Sequence, residues 1–158
     1  HKILFDFGQS DIFLENATKL GIDLSKVDIA ILSHGHYDHG GGIKKFLQIN
    51  SFAKVYINKN AFNLHYNGTE KYIGLDKTLE KSDRLVFVSD DLELCDGMKL
   101  FSCNDKEKTH NLGSFGLKTK HLDRLVDVIV STCVVTLKLG LLGTCGREEY
   151  HHHILQDG

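Results

Sequence analysis

The amino-acid sequence predicts an α/β fold in a single domain covering residues 1–158, and three observations support this class. Short apolar runs of strand length alternate with segments whose apolar residues recur at helical spacing. The chain has 158 residues, of which 41% are hydrophobic, so it is long enough to bury one sizeable core. One run, Val27 to Ser33, is almost uninterrupted apolar sequence, which is typical of a central strand covered on both faces.

The first elements follow from short local patterns. Ile3 to Phe7 is an apolar run that Gly8 closes, which predicts a buried strand. Ser10 fits a helix N-cap, and apolar residues at helical spacing then predict a helix that Gly21 ends. A strand followed by a helix is therefore expected before the central strand at Val27.

The middle of the chain continues the alternation. The pattern predicts a helix near Ile43 to Ile49, a strand from Ala53 to Ile57, and a second short helix near Lys59 to Tyr66. Tyr66 to Asp83 contains two glycines and several charges without clear periodicity. We expect an irregular surface excursion there.

The remaining predicted strands favour antiparallel pairing. Arg84 to Val88 predicts one strand, while Leu92 to Leu94 and Lys99 to Ser102 predict a hairpin around the turn from Cys95 to Met98. The stretch from Leu125 to Leu142 is densely apolar and fits either two strands or one buried helix. In both cases its composition predicts burial.

Composition excludes several classes of function. With 19 basic and 21 acidic side chains the net charge is -2, so no nucleic-acid or anionic-lipid partner is expected. Polar residues interrupt the longest apolar stretch, which falls short of the ~20 residues of a membrane span. Four cysteines without Cys-x-x-Cys spacing predict reduced thiols and a cytoplasmic location. Because the chain opens on His1 without an initiator Met, we expect the natural N-terminus to be missing.

One segment carries the chemistry: SHGHYDHGGG at residues 33–42, directly after the predicted central strand. It places His34, His36, Asp38 and His39 within six positions. Imidazole and carboxylate are ligands that zinc, iron and manganese accept, and the flanking glycines permit a tight turn. Open α/β sheets bind ligands at the carboxyl ends of their strands. Chance clustering of surface histidines would not also supply the buried strand and the glycines, so we favour a metal site.

These residues match the His-x-His-x-Asp-His motif of the metallo-β-lactamase superfamily. The segment from Ile3 to about Ser102 resembles its metal-dependent hydrolase branch, which includes the dihydropterin ribofuranosyl-aminobenzene phosphate synthases. The resemblance implies an αβ/βα sandwich, in which two mixed sheets pack face to face with helices outside. It also implies a site at one edge of the sandwich and an N-terminus that lacks the first strand.

The resemblance further implies roles for individual residues. His34 and His36 would bind a first metal ion, and Asp38 and His39 a second. One or two zinc ions are expected, and iron or manganese would suit the same ligands. Asp38 would also orient or deprotonate the attacking water, which makes it the expected catalytic residue. Asp6, in the Phe-Asp-Phe-Gly match to the family's early Asp-x-Gly motif, would support the site from behind, or would be only a strand-end turn residue.

Later ligands of the family have no clear match in this chain. His110 and His121 are weak candidates, and the histidines at 151–153 are expected to form a polar tail. Two functions therefore stay open. One is a hydrolase that uses metal-bound hydroxide on a small-molecule substrate of pterin or phosphate-ester type. The other is a non-catalytic or degenerate metal-binding domain of the same fold.

Overall fold

The computed structural model describes residues 1–102 and 114–121, together with the strand backbone at 124–127 and 134–137. Strands and helices alternate in its first part, which confirms the α/β class. The helices are α1 (Ile12–Lys19), α2 (Tyr37–Gly40) and α3 (Ile43–Ile49), with 3₁₀ turns at Leu24–Lys26 and Lys77–Lys81. The strands are β1 (Ile3–Phe5), β2 (Ile29–Ile31), β3 (Lys54–Asn58), β4 (Leu64–Asn67), β5 (Lys71–Tyr72), β6 (Leu85–Val88), β7 (Leu92–Cys95), β8 (Met98–Phe101), β9 (Leu117–His121), β10 (Arg124–Asp127) and β11 (Val134–Leu137).

A four-stranded parallel sheet in the order β1-β2-β3-β6 forms the centre of the described fold. Strand β2 lies between two neighbours, as the apolar run from Val27 predicts. Ala30, Ile31 and Leu32 are all 0% exposed because both faces of this strand are covered. The prediction of a central, doubly covered strand is confirmed.

Successive side chains of β2 point to opposite faces of the sheet and enter different cores. Ala30 and Leu32 belong to the cluster that contains Phe46 of α3. Ile31 instead packs with Leu100 of β8 in a second cluster. Helices therefore cover one face, and the antiparallel sheet β11-β8-β7 covers the other.

The helix predicted near Lys59 to Tyr66 is wrong, because this stretch leads into strand β4. β4 belongs to a third sheet, in the antiparallel order β10-β9-β4-β5. The Asn58 side chain accepts a hydrogen bond from the Asn60 N–H at 2.9 Å and starts a turn, after which β4 pairs with both β5 and β9. Pairing on both edges outweighs the weak helical spacing. The predicted irregular stretch from Tyr66 to Asp83 likewise contains β5 and a 3₁₀ turn.

Other local predictions have mixed outcomes. Helix α3, strand β3 and the hairpin of β7 and β8 are confirmed. β6 is a strand as predicted, but the antiparallel pairing expected for it is wrong, because it pairs parallel with β3 at the edge of the central sheet. Ser10 is not the N-cap of α1, because the helix begins at Ile12 and Asp11 occupies the cap position. The C-terminal apolar stretch contains strand β11, which favours strands over one helix, while burial of its side chains lies outside the described residues. Across the described ranges, every helix is too short or too polar to cross a membrane.

Asn50 joins three segments of the helix-covered layer from a fully buried position at the C-cap of α3. Its Nδ2 donates to the carbonyl oxygens of Leu24 at 3.0 Å and Val27 at 2.9 Å. Its Oδ1 accepts from the Ala53 N–H at 2.7 Å. The amide thus holds the end of α3 against the chain that enters β2 and the chain that enters β3.

We predict that Asn50→Asp lowers the free energy of unfolding by about 2–4 kcal/mol, because an acceptor would replace the donor that faces two carbonyl groups in a buried site. Urea unfolding followed by circular dichroism measures the change. The matched control is Asn16→Asp on the exposed side of α1, which should stay within about 0.5 kcal/mol of the parent. Equal effects of the two substitutions would refute this role for Asn50.

Candidate metal centre

The motif segment at residues 33–42 leaves the carboxyl end of β2, turns, and enters α2. Backbone hydrogen bonds fix the turn on two sides. The Phe7 N–H donates to the His39 carbonyl at 2.7 Å, and the Tyr37 N–H donates to the Ile73 carbonyl at 2.8 Å. The segment is therefore held between the chain that follows β1 and the chain that follows β5.

Two glycines of the segment are required by close backbone approach. A Cβ atom on Gly35 would lie 1.9 Å from the carbonyl oxygen of Ala61, and one on Gly41 would lie 2.0 Å from that of Gln9. Neither position has room for a side chain. The glycines thus let the turn pack directly on its neighbours, which agrees with the role predicted from the sequence.

Three of the four predicted ligands come together at this turn. One ligand atom from each of His34, Asp38 and His39 lies within 4.8 Å of the others. His39 Nε2 and Asp38 Oδ2 are 4.0 Å apart, and the rings of His34 and His39 have centroids 4.0 Å apart. Atoms that share one zinc ion at about 2.0–2.2 Å lie no more than ~4.4 Å apart. A small contraction of this group would therefore place all three around one ion, and its nitrogen and oxygen donors suit zinc.

His36 lies beside this group rather than within it. Its ring centroid is 4.8 Å from that of His34 and its side chain is buried. The division of the four residues between a first and a second ion stays a prediction.

Asp6 directly supports the candidate ligands. Its backbone adopts φ 62°, a left-handed conformation that costs energy in a residue other than glycine and is often found at functional sites. Asp6 Oδ1 accepts from the Ser33 N–H at 2.7 Å, and Oδ2 accepts from His39 Nδ1 at 2.8 Å. The structure therefore places Asp6 behind His39, in contact with it.

The electrostatic environment differs among the three histidines of the motif. Burial, followed by the neighbouring His39 and His36, lowers the pKa of His34 to about 3. Burial also lowers the pKa of His36. The hydrogen bond to Asp6 raises the pKa of His39. His34 and His36 are thus neutral near pH 7, the form of imidazole that binds metals.

His65 is a site neighbour that the sequence pattern did not single out. It is 4% exposed, its ring centroid lies 5.2 Å from that of His36, and its Nδ1 is 2.9 Å from Thr119 Oγ1. Burial, with a further contribution from His36, lowers its pKa to about 4. The two downstream candidates are untested, since His110 lies outside the described residues and His121 is described only as backbone of β9.

Similarity to known proteins supports the same family as the fold and the candidate ligands. Residues 1–127 match the family model of the metallo-beta-lactamase superfamily, so the chain belongs to this superfamily. The crystal structure of Tm1679, described as a metal-dependent hydrolase of the beta-lactamase superfamily, superposes with a TM-score of 0.67 at 31% identity. That comparison covers 86% of this chain and 51% of Tm1679.

Two curated relatives come from Methanocaldococcus jannaschii. An uncharacterized protein is 38% identical over 81 residues, which cover 51% of this chain and 31% of the relative. A 7,8-dihydropterin-6-methyl-4-(beta-D-ribofuranosyl)-aminobenzene-5'-phosphate synthase is 27% identical over 164 residues, which cover 92% of this chain and 56% of the relative. The matched segments thus span 31% and 56% of the length of these two relatives.

The pair of His65 and Thr119 gives a testable coupling between β4 and β9. We predict that His65→Phe and Thr119→Val each lower the free energy of unfolding by about 1–3 kcal/mol, because each leaves one buried polar group without its partner. The double variant should lose less than the sum of the two, since neither polar group is then left. Chemical unfolding of all four proteins measures the coupling. Strictly additive losses would show that the two side chains do not act as a pair.

Proposed function

We propose that the protein is a metal-dependent hydrolase of small molecules that works with zinc. The observation that carries this proposal is the convergence of His34, Asp38 and His39 at the end of β2, within 4.8 Å of one another. Membership of the metallo-beta-lactamase superfamily and the likeness to the metal-dependent hydrolase Tm1679 support it.

The residues of the turn have distinct proposed roles. In place of the two-ion division that the resemblance implies, we propose one ion held by His34, Asp38 and His39, with His36 as a further ligand after a modest approach. Zinc, when bound, lowers the pKa of a coordinated water towards about 7 and polarises a carbonyl or phosphoryl oxygen of a substrate. The side chain of Asp38 is 53% exposed to solvent, so a water molecule can reach its carboxylate. The carboxylate could therefore bind the ion and also orient this water or accept its proton.

The proposed substrate class is a pterin derivative or a phosphate ester. Its support is the name of the dihydropterin-related synthase, which matches 92% of this chain. Because the match covers only 56% of that relative, we propose the relative's substrate class for this chain and do not assign it.

We predict that the purified chain binds zinc and that His34→Ala or Asp38→Asn lowers the affinity at least ~10-fold, because each removes one atom of the converging group. Calorimetric titration of the metal-free protein with zinc, iron(II) and manganese(II) measures affinity and preference. Tyr37→Phe is the matched control within the same turn and should bind like the parent. Equal affinity in all four proteins would place the ion elsewhere and contradict the proposal.

Hydrolysis separates the two candidate functions. A chromogenic phosphodiester, incubated with the zinc-loaded chain, should be cleaved at a rate that falls at least ~10-fold in Asp38→Asn at saturating zinc. Zinc binding without cleavage of this probe or of pterin phosphate esters would favour the non-catalytic metal-binding domain.

A further inference from the structure

Ser33 occupies the centre of the hydrogen-bonded group behind the candidate ligands. Its Oγ lies 2.8 Å from Asp6 Oδ2, 2.9 Å from His34 Nδ1 and 3.3 Å from His39 Nδ1. Its side chain is buried, with 8% of the residue exposed. One hydroxyl group thus contacts a carboxylate and two imidazoles, away from bulk water.

The available protons fix the direction of the hydrogen bonds that Ser33 Oγ makes with Asp6 and with His34. A carboxylate only accepts, so Ser33 Oγ–H donates to Asp6 Oδ2 at 2.8 Å, and the Nδ1–H of His39 donates to the same oxygen at 2.8 Å. The single hydroxyl proton is then used. His34 Nδ1, at 2.9 Å from Ser33 Oγ, must therefore carry a hydrogen and donate it to the hydroxyl oxygen.

From this arrangement we infer that Ser33 is a positioning residue: its hydroxyl, oriented by Asp6, holds His34 in the Nδ1–H tautomer, while Asp6 itself holds His39 in the same tautomer. In their neutral forms, both rings then present an unprotonated Nε2 for a ligand. The inference adds to the proposed function, on which its importance for metal binding rests.

The hydroxyl group of Ser33 does more than fill space. The backbone N–H of Ser33 already donates to Asp6 Oδ1 at 2.7 Å, so the turn stays attached to Asp6 without the hydroxyl group. What the hydroxyl adds is an acceptor for His34. Without that acceptor, the proton of a neutral His34 is free to move to Nε2, where it would block the nitrogen that a metal requires.

Ring ¹⁵N NMR of the metal-free chain, at a pH where the imidazoles are neutral, tests this assignment directly. Signals are assigned by their loss in H34Q and H39Q. The parent should show Nδ1–H for both His34 and His39. Ser33→Ala should move His34 towards the Nε2–H form while His39 keeps its proton on Nδ1, because Asp6 remains. Ser33→Thr, which keeps the hydroxyl, should resemble the parent.

Zinc titration of the same proteins provides the second readout. Ser33→Ala should bind about 10–100-fold more weakly than the parent, and Ser33→Thr should restore most of the affinity. An Nε2–H form of His34 in the parent would overturn the inference even if zinc binds to His34, Asp38 and His39. Conversely, the expected tautomers in a chain that binds no zinc would uphold the role of Ser33 and overturn the proposed function. Because an Nε2–H form of His34 in the parent spectrum would by itself overturn the inference, the inference stays testable if Ser33→Ala fails to fold.

Discussion

The Asp6 carboxylate is the constraint on which the arrangement of the site depends. Parallel pairing places Phe5 opposite Ile31, so β1 and β2 end side by side. Asp6, the residue that follows β1, has φ 62° and directs its carboxylate to the Ser33 N–H and to His39 Nδ1. Asp6 is partly buried, with 20% of its side chain exposed, so its carboxylate oxygens need partners, and these partners belong to the turn that carries the candidate ligands. Without these hydrogen-bond partners, the free-energy cost of removing the Asp6 carboxylate from water would no longer be offset.

Much of the central architecture could be predicted from the sequence because its signals are local. The apolar run from Val27 to Ser33 is of strand length and predicts a central strand, since a strand covered on both faces buries every side chain. The position of the motif then follows, because parallel strands place their carboxyl ends at one edge of a sheet. His34, Asp38 and His39 are close in sequence and are joined by one turn, so their convergence needs little long-range information.

The parts that the sequence did not predict depend on contacts between distant segments. The stretch from Lys59 to Tyr66 has weak helical spacing, but β4 gains partners on both edges, one of them about fifty residues later at β9. His65 becomes a neighbour of His36 only through this pairing, with Thr119 as its partner across the sheet. A single sequence contains no signal for such a register. The hydrogen-bond directions at Ser33 could not be predicted either, because they follow from distances to Asp6, a residue far away in the sequence, as well as to His34.

In the proposed site, His34, Asp38 and His39 share one metal ion. Anomalous diffraction at the zinc edge, from crystals of the zinc-loaded chain, tests this arrangement most directly. We expect an anomalous peak about 2.0–2.2 Å from the Nε2 atoms of His34 and His39 and from a carboxylate oxygen of Asp38. A peak held by other side chains, or by the Nδ1 atoms of these histidines, would contradict the arrangement.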